Sequence, residues 1–311
     1  MTEIVTLTMN PAVDKSTRVD RVAPDRKLRC ESPRREPGGG GLNVSRALRR
    51  LDQDSLALFL SGGAMGEILQ GLLEEEEVKF QALATHAGTR ENLMVREEGE
   101  EDHQYRFDMP GPEIRESEWK EALERIRALD PPPAYVVASG SLPPGVPDDF
   151  YARLARVVRE VEGKMILDTS GAGLREGLKG GVYLVKPNLR ELKALAEDPS
   201  DSGDYEDAQA RLAEEIRERQ WAEAVVVSMG SAGALLVAEG EREKVSTPTV
   251  PIRSRVGAGD SMVAGLVAGL SRGMDLPTAT RYGVAAGAAA VMTPGTELCR
   301  KPDVEDLFDR M

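Results

Sequence analysis

The strongest constraint on the fold is an alternation of two kinds of segment. Short apolar runs occur at Ile4–Met9, Ala57–Leu60, Tyr135–Ala138, Met165–Leu167, Tyr183–Val185 and Ala224–Ser228. Between them lie stretches with helical periodicity, among them Asn43–Leu51, Glu118–Leu129, Asp148–Glu162, Leu189–Ala196 and Tyr205–Arg219. A strand that is apolar at every position buries both faces, whereas a helix with a 3.6-residue pattern buries one. The alternation therefore predicts an α/β fold, a mostly parallel sheet sandwiched by helices. In such sheets ligands bind beyond the carboxyl ends of the strands, so the loops that follow strands are where chemistry belongs. A chain of 311 residues fits a single domain, 1–311, of this kind. Aromatic residues make up only 4% of it, so the core must be assembled from Ala, Val and Leu.

Two stretches depart from this rhythm. Ser16–Val22 and Lys27–Arg35, on either side of Pro24, alternate polar and apolar residues, and Asn92–Arg96 and Gln104–Met109 do the same around Glu97–Asp102. Period-two patterns with polar faces predict antiparallel hairpins outside the main sheet. They are too polar to form a core of their own, so they are expected to act as a small lid, about residues 15–36 and 88–110, packing over the site or against another subunit. Asp198–Asp204 reads as a surface loop.

Composition excludes several classes. A net charge of −13 argues against nucleic-acid or membrane-surface binding, since both partners are polyanions. The acidic runs Glu74–Glu77 and Glu97–Asp102 read as solvated surface. Cys30 and Cys299 lie far apart with no C-x-x-C spacing, and His86 and His103 are the two histidines, so a disulfide framework, a zinc site and a histidine triad are not expected. The N-terminus lacks the pattern of a signal peptide and no run reaches spanning length, which places the expected compartment in the cytoplasm. There is no G-x-x-x-x-G-K-[ST], and no G-x-G-x-x-G follows the first strand, so neither a P-loop nor a dinucleotide fold is indicated.

The motif with the clearest chemistry is Arg255-Val256-Gly257-Ala258-Gly259-Asp260-Ser261, followed by a helix of small residues over Met262–Leu270. Glycines let the backbone turn so that successive amides point at one spot at a helix N-terminus, which suits a phosphate in transit. Asp260 could accept a proton from an attacking hydroxyl, or could be only an N-cap. Pro37-Gly38-Gly39-Gly40-Gly41-Leu42-Asn43 again places glycines before a helix. Four glycines in a row are entropically costly, and close approach of a ligand to the backbone is the better explanation for them. Asn43 can offer its amide to sugar hydroxyls, and Asp14 in Asn10-Pro11-Ala12-Val13-Asp14 follows the first strand. In Lys186-Pro187-Asn188-Leu189-Arg190-Glu191, Asn188 and Glu191 share the first helical turn. An amide oxygen and a carboxylate suit Mg2+ bound through waters, while N-x-x-E also fits a capping box. Ser228-Met229-Gly230-Ser231-Ala232-Gly233 follows another strand and could face a phosphate or ribose.

In this order the motifs resemble the PfkB carbohydrate kinase family, over about Ile4 to Pro302. The Gly-rich Pro37–Gly41 without lysine, Lys27-Leu28-Arg29-Cys30, Gln104-Tyr105-Arg106-Phe107, Ser139–Gly145 and Gly295-Thr296 before Leu298-Cys299 are similar to the branch formed by the minor bacterial 6-phosphofructokinases. The resemblance implies a ribokinase-like fold and ATP-dependent phosphorylation of fructose 6-phosphate, with 1-phosphofructokinase or tagatose-6-phosphate kinase activity as rivals. It implies Asp260 as the base and Gly257, Ala258 and Gly259 as its anion hole. Asp14, Gly39, Gly40 and Asn43 would hold the sugar, with Arg90, Lys27 and Ser141 near its phosphate. ATP would lie along Lys186, Asn188, Ser228, Gly230 and Gly233 with Ile252 near the adenine, and Asn188 and Glu191 would organise Mg2+. A K+ site would use Ser254, Val256, Ala290, Thr293 and Gly295, although Glu297 stands where the family pattern has Arg. In similar enzymes the hairpins form a lid shared across a homodimer. The opposing readings are a nucleotide- or sugar-responsive binding protein on the same fold, which would not need Asp260, and a dehydrogenase, which would need a nicotinamide site.

Overall fold

The computed structural model describes residues 3–97, 103–196 and 205–311. The expected surface loop at Asp198–Asp204, and the expected turn beyond Glu97, lie outside these residues. The chain runs β1 (Ile4–Thr8), β2 (Ala12–Val19), β3 (Arg34–Gly38), α1 (Gly40–Arg50), β4 (Leu56–Ser61), α2 (Gly63–Glu75), β5 (Phe80–Ala84), β6 (Arg90–Glu97), β7 (Gln104–Phe107) and α3 (Glu116–Arg127). It continues through β8 (Tyr135–Ser139), α4 (Phe150–Glu160), β9 (Lys164–Asp168), α5 (Gly171–Leu178), β10 (Val182–Val185), α6 (Leu189–Leu195), α7 (Tyr205–Glu218), β11 (Ala222–Ser228), β12 (Ala234–Ala238) and β13 (Glu241–Val245). Three helices follow: α8 (Ala258–Ser271), α9 (Leu276–Val291) and α10 (Lys301–Asp309).

Nine strands form the main sheet in the order β13-β12-β11-β10-β9-β8-β1-β4-β5. It is parallel from β5 to β11, and the last two strands pair antiparallel at one edge. All six apolar runs read from the sequence are strands of this sheet. Alternate residues explain their continuous hydrophobicity: Val5 and Leu7 enter one core with helices α3 to α7, while Ile4 and Val137 enter the other with α1, α8, α9 and α10. Each such side chain contributes about 1.5–3 kcal/mol by leaving water. Where aromatics are sparse, helices approach closely instead. A Cβ on Gly265 of α8 would stand 2.9 Å from the Tyr282 carbonyl and 3.0 Å from Gly283 Cα of α9.

A second, four-stranded sheet has the order β3-β2-β6-β7. The two expected antiparallel pairs are present, β2 with β3 and β6 with β7, but a parallel β2–β6 pairing joins them into one sheet. The first pair also differs in extent. β2 begins at Ala12, and the segment before Arg34 is not a strand although Lys27–Arg35 alternates. Pro33 lacks the amide a ladder needs, and the segment is tied to β2 through the Glu31 amide and the Arg18 carbonyl (3.0 Å). Val13 of β2 is fully buried under α1 and α2, which anchors the small sheet to the body.

The chain leaves β1 toward β4 and β5 on one side, then returns to β8 on the other. That reversal is a topological switch point, and the carboxyl ends of β1 and β8 open the crevice where the motifs converge.

Candidate active site

The glycine run seats the start of α1 directly on those strand ends. Gly39, at φ 112°, has a conformation that L side chains rarely adopt. A Cβ on Gly41 would lie 2.7 Å from the Leu7 carbonyl, and one on Gly40 would lie 3.0 Å from the Gly140 amide nitrogen. A Cβ on Gly38 would collide with the Asp14 carboxylate. The protein's own strand ends and the Asp14 side chain are by themselves sufficient to exclude a side chain at these glycines, in addition to the close approach of a ligand expected from the sequence.

Across the crevice, Gly257 (φ 74°) is the N-cap of α8 and no side chain caps that helix. Asp260 is thus not the cap; its Oδ2 accepts a hydrogen bond from Asn43 Nδ2 at 2.9 Å. Burial, and next the nearby Asp168, push the Asp260 carboxyl up to about 6, against the pull of Asn43, Lys186 and Arg46. It is therefore ionised at neutral pH yet within reach of protonation. Lys186, which follows β10, is buried and its Nζ lies 3.0 Å from Asp168 Oδ1. Burial works to lower the lysine pKa, but Asp168, with Glu191 and Asp260 beyond it, outweighs burial and raises it. The ammonium lies 3.8 Å from where a Gly259 Cβ would be, so a fixed positive charge stands beside the amides at the start of α8.

The expected nucleotide residues sit on adjacent strand ends. Asn188 bridges Ser228, and the Ser228 amide donates to the Pro187 carbonyl at 2.9 Å. Gly230 is open and exposed, whereas Gly233 turns the chain tightly against Val245 and Thr247, so its glycine is required by the hairpin itself. Ile252 is a large apolar side chain left 59% exposed. Asn188 Oδ1 accepts from the Arg190 and Glu191 amides, each at 2.9 Å, and Glu191 Oε2 accepts from the Asn188 amide at 2.8 Å. The capping box is thus formed, and it occupies one oxygen of the carboxylate. A cavity of about 1000 Å3 opens beside Asn188 and Glu191 and is also lined by Ser170, Arg175 and Arg190.

The loop after α9 gathers oxygens without an acidic ligand. Ser254 Oγ donates to the Gly295 carbonyl (2.5 Å), and Thr293 Oγ1 donates to the carbonyls of Ala290 (2.7 Å) and Glu297 (2.5 Å). The Val256 amide donates to Ser254 Oγ at 3.2 Å. The Glu297 carboxylate turns away to Arg300 (2.9 and 3.0 Å) and Arg50 (3.7 Å).

On the small sheet, Asn92 Nδ2 donates to Asp14 Oδ1 at 2.8 Å, and burial raises the Asp14 pKa. Arg90 donates to the carbonyls of Met109 (2.8 Å) and Asn10 (3.1 Å), and its Nε is buried without a partner among the described residues. Burial works against the Arg90 charge, opposed by Asp14 and Asp108. Ser141 Oγ accepts from Asn10 Nδ2 at 3.0 Å, so Ser141, Asn10 and Arg90 are linked at one end of the crevice. Lys27 is exposed on the loop between β2 and β3 and is not brought to this group.

The sequence matches the profile of the pfkB family of carbohydrate kinases over residues 3–303. The chain belongs to that family. It is 45% identical over 306 residues to the ATP-dependent 6-phosphofructokinase isozyme 2 of Mycobacterium tuberculosis, covering 98% of this chain and 89% of that protein. Two crystal structures of phosphofructokinase-2 from Escherichia coli, in complexes with potassium and with fructose 6-phosphate, superpose with TM-scores of 0.93 and 0.92. Their identities are 39% and 38%, and each comparison covers 100% of this chain and 99% of the other. The ribokinase-like α/β fold is the expected one, and the protein is a kinase that acts on a sugar hydroxyl.

Several residues of this pfkB family site went unread in the sequence. Asp168 ends β9 and raises the pKa of Lys186 against burial and, after burial itself, that of Asp260; its position at a strand end is the available signal. Asn92, which holds Asp14, lay inside a period-two stretch and looked like one more polar position. Arg46 and Glu76 form a bidentate pair (2.9 and 2.6 Å), so Glu76 is not the solvated acid expected of the run Glu74–Glu77.

Proposed function

We propose that this kinase phosphorylates fructose 6-phosphate with ATP, giving fructose 1,6-bisphosphate, and that Asp260 is its base. The observation carrying this reading is the Asp260 carboxylate at the start of α8, bonded to Asn43 and flanked by the buried Lys186. A sugar held between Asp14, Asn43 and the amides around Gly39 and Gly40 presents its free primary hydroxyl to Asp260. As that oxygen bonds to the γ-phosphorus, its proton passes to the carboxylate, and the bond to the β-phosphate oxygen breaks to release ADP. The amides of Gly257, Ala258, Gly259 and Asp260, with Lys186, balance the charge on the moving phosphoryl group. Asp260 afterwards returns the proton to solvent.

At the far end of the sugar, Arg90 meets the 6-phosphate; its buried Nε, which has no partner among the described residues, is the donor that supports this, with Ser141 beside it. ATP lies along Lys186, Asn188, Ser228, Gly230 and Gly233 with its base on Ile252. The capping box leaves the second Glu191 oxygen free, so Glu191 suits Mg2+ held through water, while Asn188 Oδ1, taken up by the Arg190 and Glu191 amides, would fix the start of α6 beneath the cation. Bound there, the cation would neutralise phosphate charge. The hydroxyls and carbonyls at Ser254, Val256, Ala290, Thr293 and Gly295 suit K+, a cation that an oxygen-only, uncharged cage accommodates; the structure of the similar E. coli enzyme in complex with potassium supports this. Because only the backbone carbonyl of Glu297 faces this loop, its acidic side chain does not disturb it.

A homodimer formed through the small sheet, in the cytoplasm, completes the reading. Tyr105, Phe107 and Met109 expose 37%, 48% and 44% of their surface on that sheet and the irregular segment following it. No helix among the described residues is long and apolar enough to cross a membrane.

The test is a steady-state comparison of fructose 6-phosphate, fructose 1-phosphate, tagatose 6-phosphate and unphosphorylated sugars with Mg-ATP. Fructose 6-phosphate should have the highest kcat/KM. Preference for fructose 1-phosphate or tagatose 6-phosphate would reassign the substrate, and no turnover with any of them would support a binding protein.

A further inference from the structure

We propose that Arg46 is a positioning residue for catalysis: it fixes the orientation of the Asn43 amide and, through it, the placement of the Asp260 carboxylate. The inference rests on the assignment of Asp260 as base made above. Arg46 is 2% exposed, a rare state for arginine unless its donors are matched. Its Nε and one terminal nitrogen hold Glu76, at 2.9 and 2.6 Å, and Glu36 Oε1 lies 3.8 Å from that same terminal nitrogen. The other terminal nitrogen donates to the Pro37 carbonyl at 2.9 Å and to Asn43 Oδ1 at 3.0 Å.

That last contact has a consequence at the base. Asn43 and Arg46 are three residues apart on α1 and share one face of the helix. With Oδ1 committed to the guanidinium, Nδ2 must point to Asp260, where it donates at 2.9 Å. The reversed amide would set its NH2 against a cation and its oxygen against a carboxylate, two repulsive contacts at once. Arg46 thus joins the strand before the glycine run, the end of α2 and the start of α8 through one planar fork, which a lysine cannot replace. The charged groups facing Asp260 are Asp168 from the end of β9, Lys186 after β10 and Arg46 from α1. Asn43 and Arg46 both favour its ionised form.

Arg46→Lys keeps the charge and loses the fork. Glu76→Gln, at a partly exposed site outside the catalytic machinery, weakens the anchor of Arg46 and serves if the first variant does not fold. For parent and variants we would measure kcat against pH at saturating Mg-ATP and fructose 6-phosphate, KM for ATP, melting temperature, and the Asp260 carboxyl titration by NMR. Misplacement of a catalytic group by about 1 Å costs roughly 100-fold, so kcat of Arg46→Lys should fall by about 10- to 100-fold with little change in KM for ATP. The acid limb should move to higher pH, because the Asn43 hydrogen bond that favours ionised Asp260 is loosened, and Glu76→Gln should move it less in the same direction. A lowered melting temperature with kcat and the acid limb unmoved would overturn the proposal and leave Arg46 as a strut. The NMR titration needs no turnover, so it decides the role of Arg46 even if the parent fails on every sugar, a result that would instead overturn the proposed function.

Discussion

The floor of the crevice and the small sheet above it are built on opposite terms. Asp260, Lys186 and Asp168 lie at the ends of α8, β10 and β9, whose side chains are mostly buried, and Asn43 with Arg46 holds Asp260 from α1. In the small sheet the fully buried apolar residues sit at the start of β2, at Ala12 and Val13, while most of β6 is half-buried and most of β7 exposed. Groups that move a proton and stabilise a phosphoryl transfer gain from being fixed before reaction, so they belong on the rigid floor. Groups that meet the far end of a substrate can sit on an element that needs a partner or a ligand to complete it. The division assigns chemistry to the floor and recognition to the sheet.

The largest expected effect breaks the chemical side alone. Asp260→Asn keeps shape and cannot take a proton, so turnover should fall by about 10²–10⁴-fold in coupled assays. The same variant should be more stable. A carboxyl whose folded pKa is about 6 binds a proton that the unfolded chain, near 3.8, releases, so stability falls as pH rises from about 4 to 6 and stays reduced above that window. Removing that buried charge should raise unfolding free energy at pH 7 by on the order of 1–3 kcal/mol, measured by urea denaturation. Equal stability across pH 4–7 in parent and variant would show that Asp260 is not held in the environment described.

Arg90→Ala breaks the recognition side. Loss of a charge-assisted contact to phosphate should remove about 1.5–3 kcal/mol, seen as a roughly 10- to 150-fold rise in KM for the phosphosugar with KM for ATP nearly unchanged. Unaltered sugar kinetics would remove Arg90 from the site. Glu191→Gln keeps the oxygen that the capping box uses and removes the charge, so the Mg2+ requirement should rise and turnover fall while the melting temperature stays close to the parent's. Loss of stability with intact catalysis would mean that the motif only caps α6. The smallest kinetic effect is expected from Phe107→Asp, which should shift a dimer toward monomer in sedimentation experiments; a parent that is already monomeric would contradict a shared lid.

The two regions also differed in how far their sequence could be read. Main-sheet runs such as Tyr135–Ala138 are apolar throughout because both faces are covered, and that pattern identifies them without knowledge of their neighbours. β12, α2 and the long Ala-rich α9 were passed over, since their packing depends on partners distant in the chain. In the small sheet, period two correctly indicated strands but not that β2 and β6 lie side by side in parallel, a pairing between segments about eighty residues apart. At the site, Asp260, Asn188 and Glu191 stood out because helix-start chemistry is local. Asp168, Arg46 and Glu76 did not, because what each does is set by a residue from another element. The four glycines point to a close approach to the backbone, but that strand ends and the Asp14 side chain make such an approach is set by residues distant in the chain.

The division of labour is tested most directly by calorimetric titration of fructose 6-phosphate into the Asp260→Asn and Arg90→Ala variants. The account predicts that Asp260→Asn binds the sugar phosphate about as tightly as the parent does, while Arg90→Ala binds it far more weakly. Weak binding to Asp260→Asn together with parent-like binding to Arg90→Ala would contradict it, placing recognition on the floor and leaving the small sheet without the role given to it here.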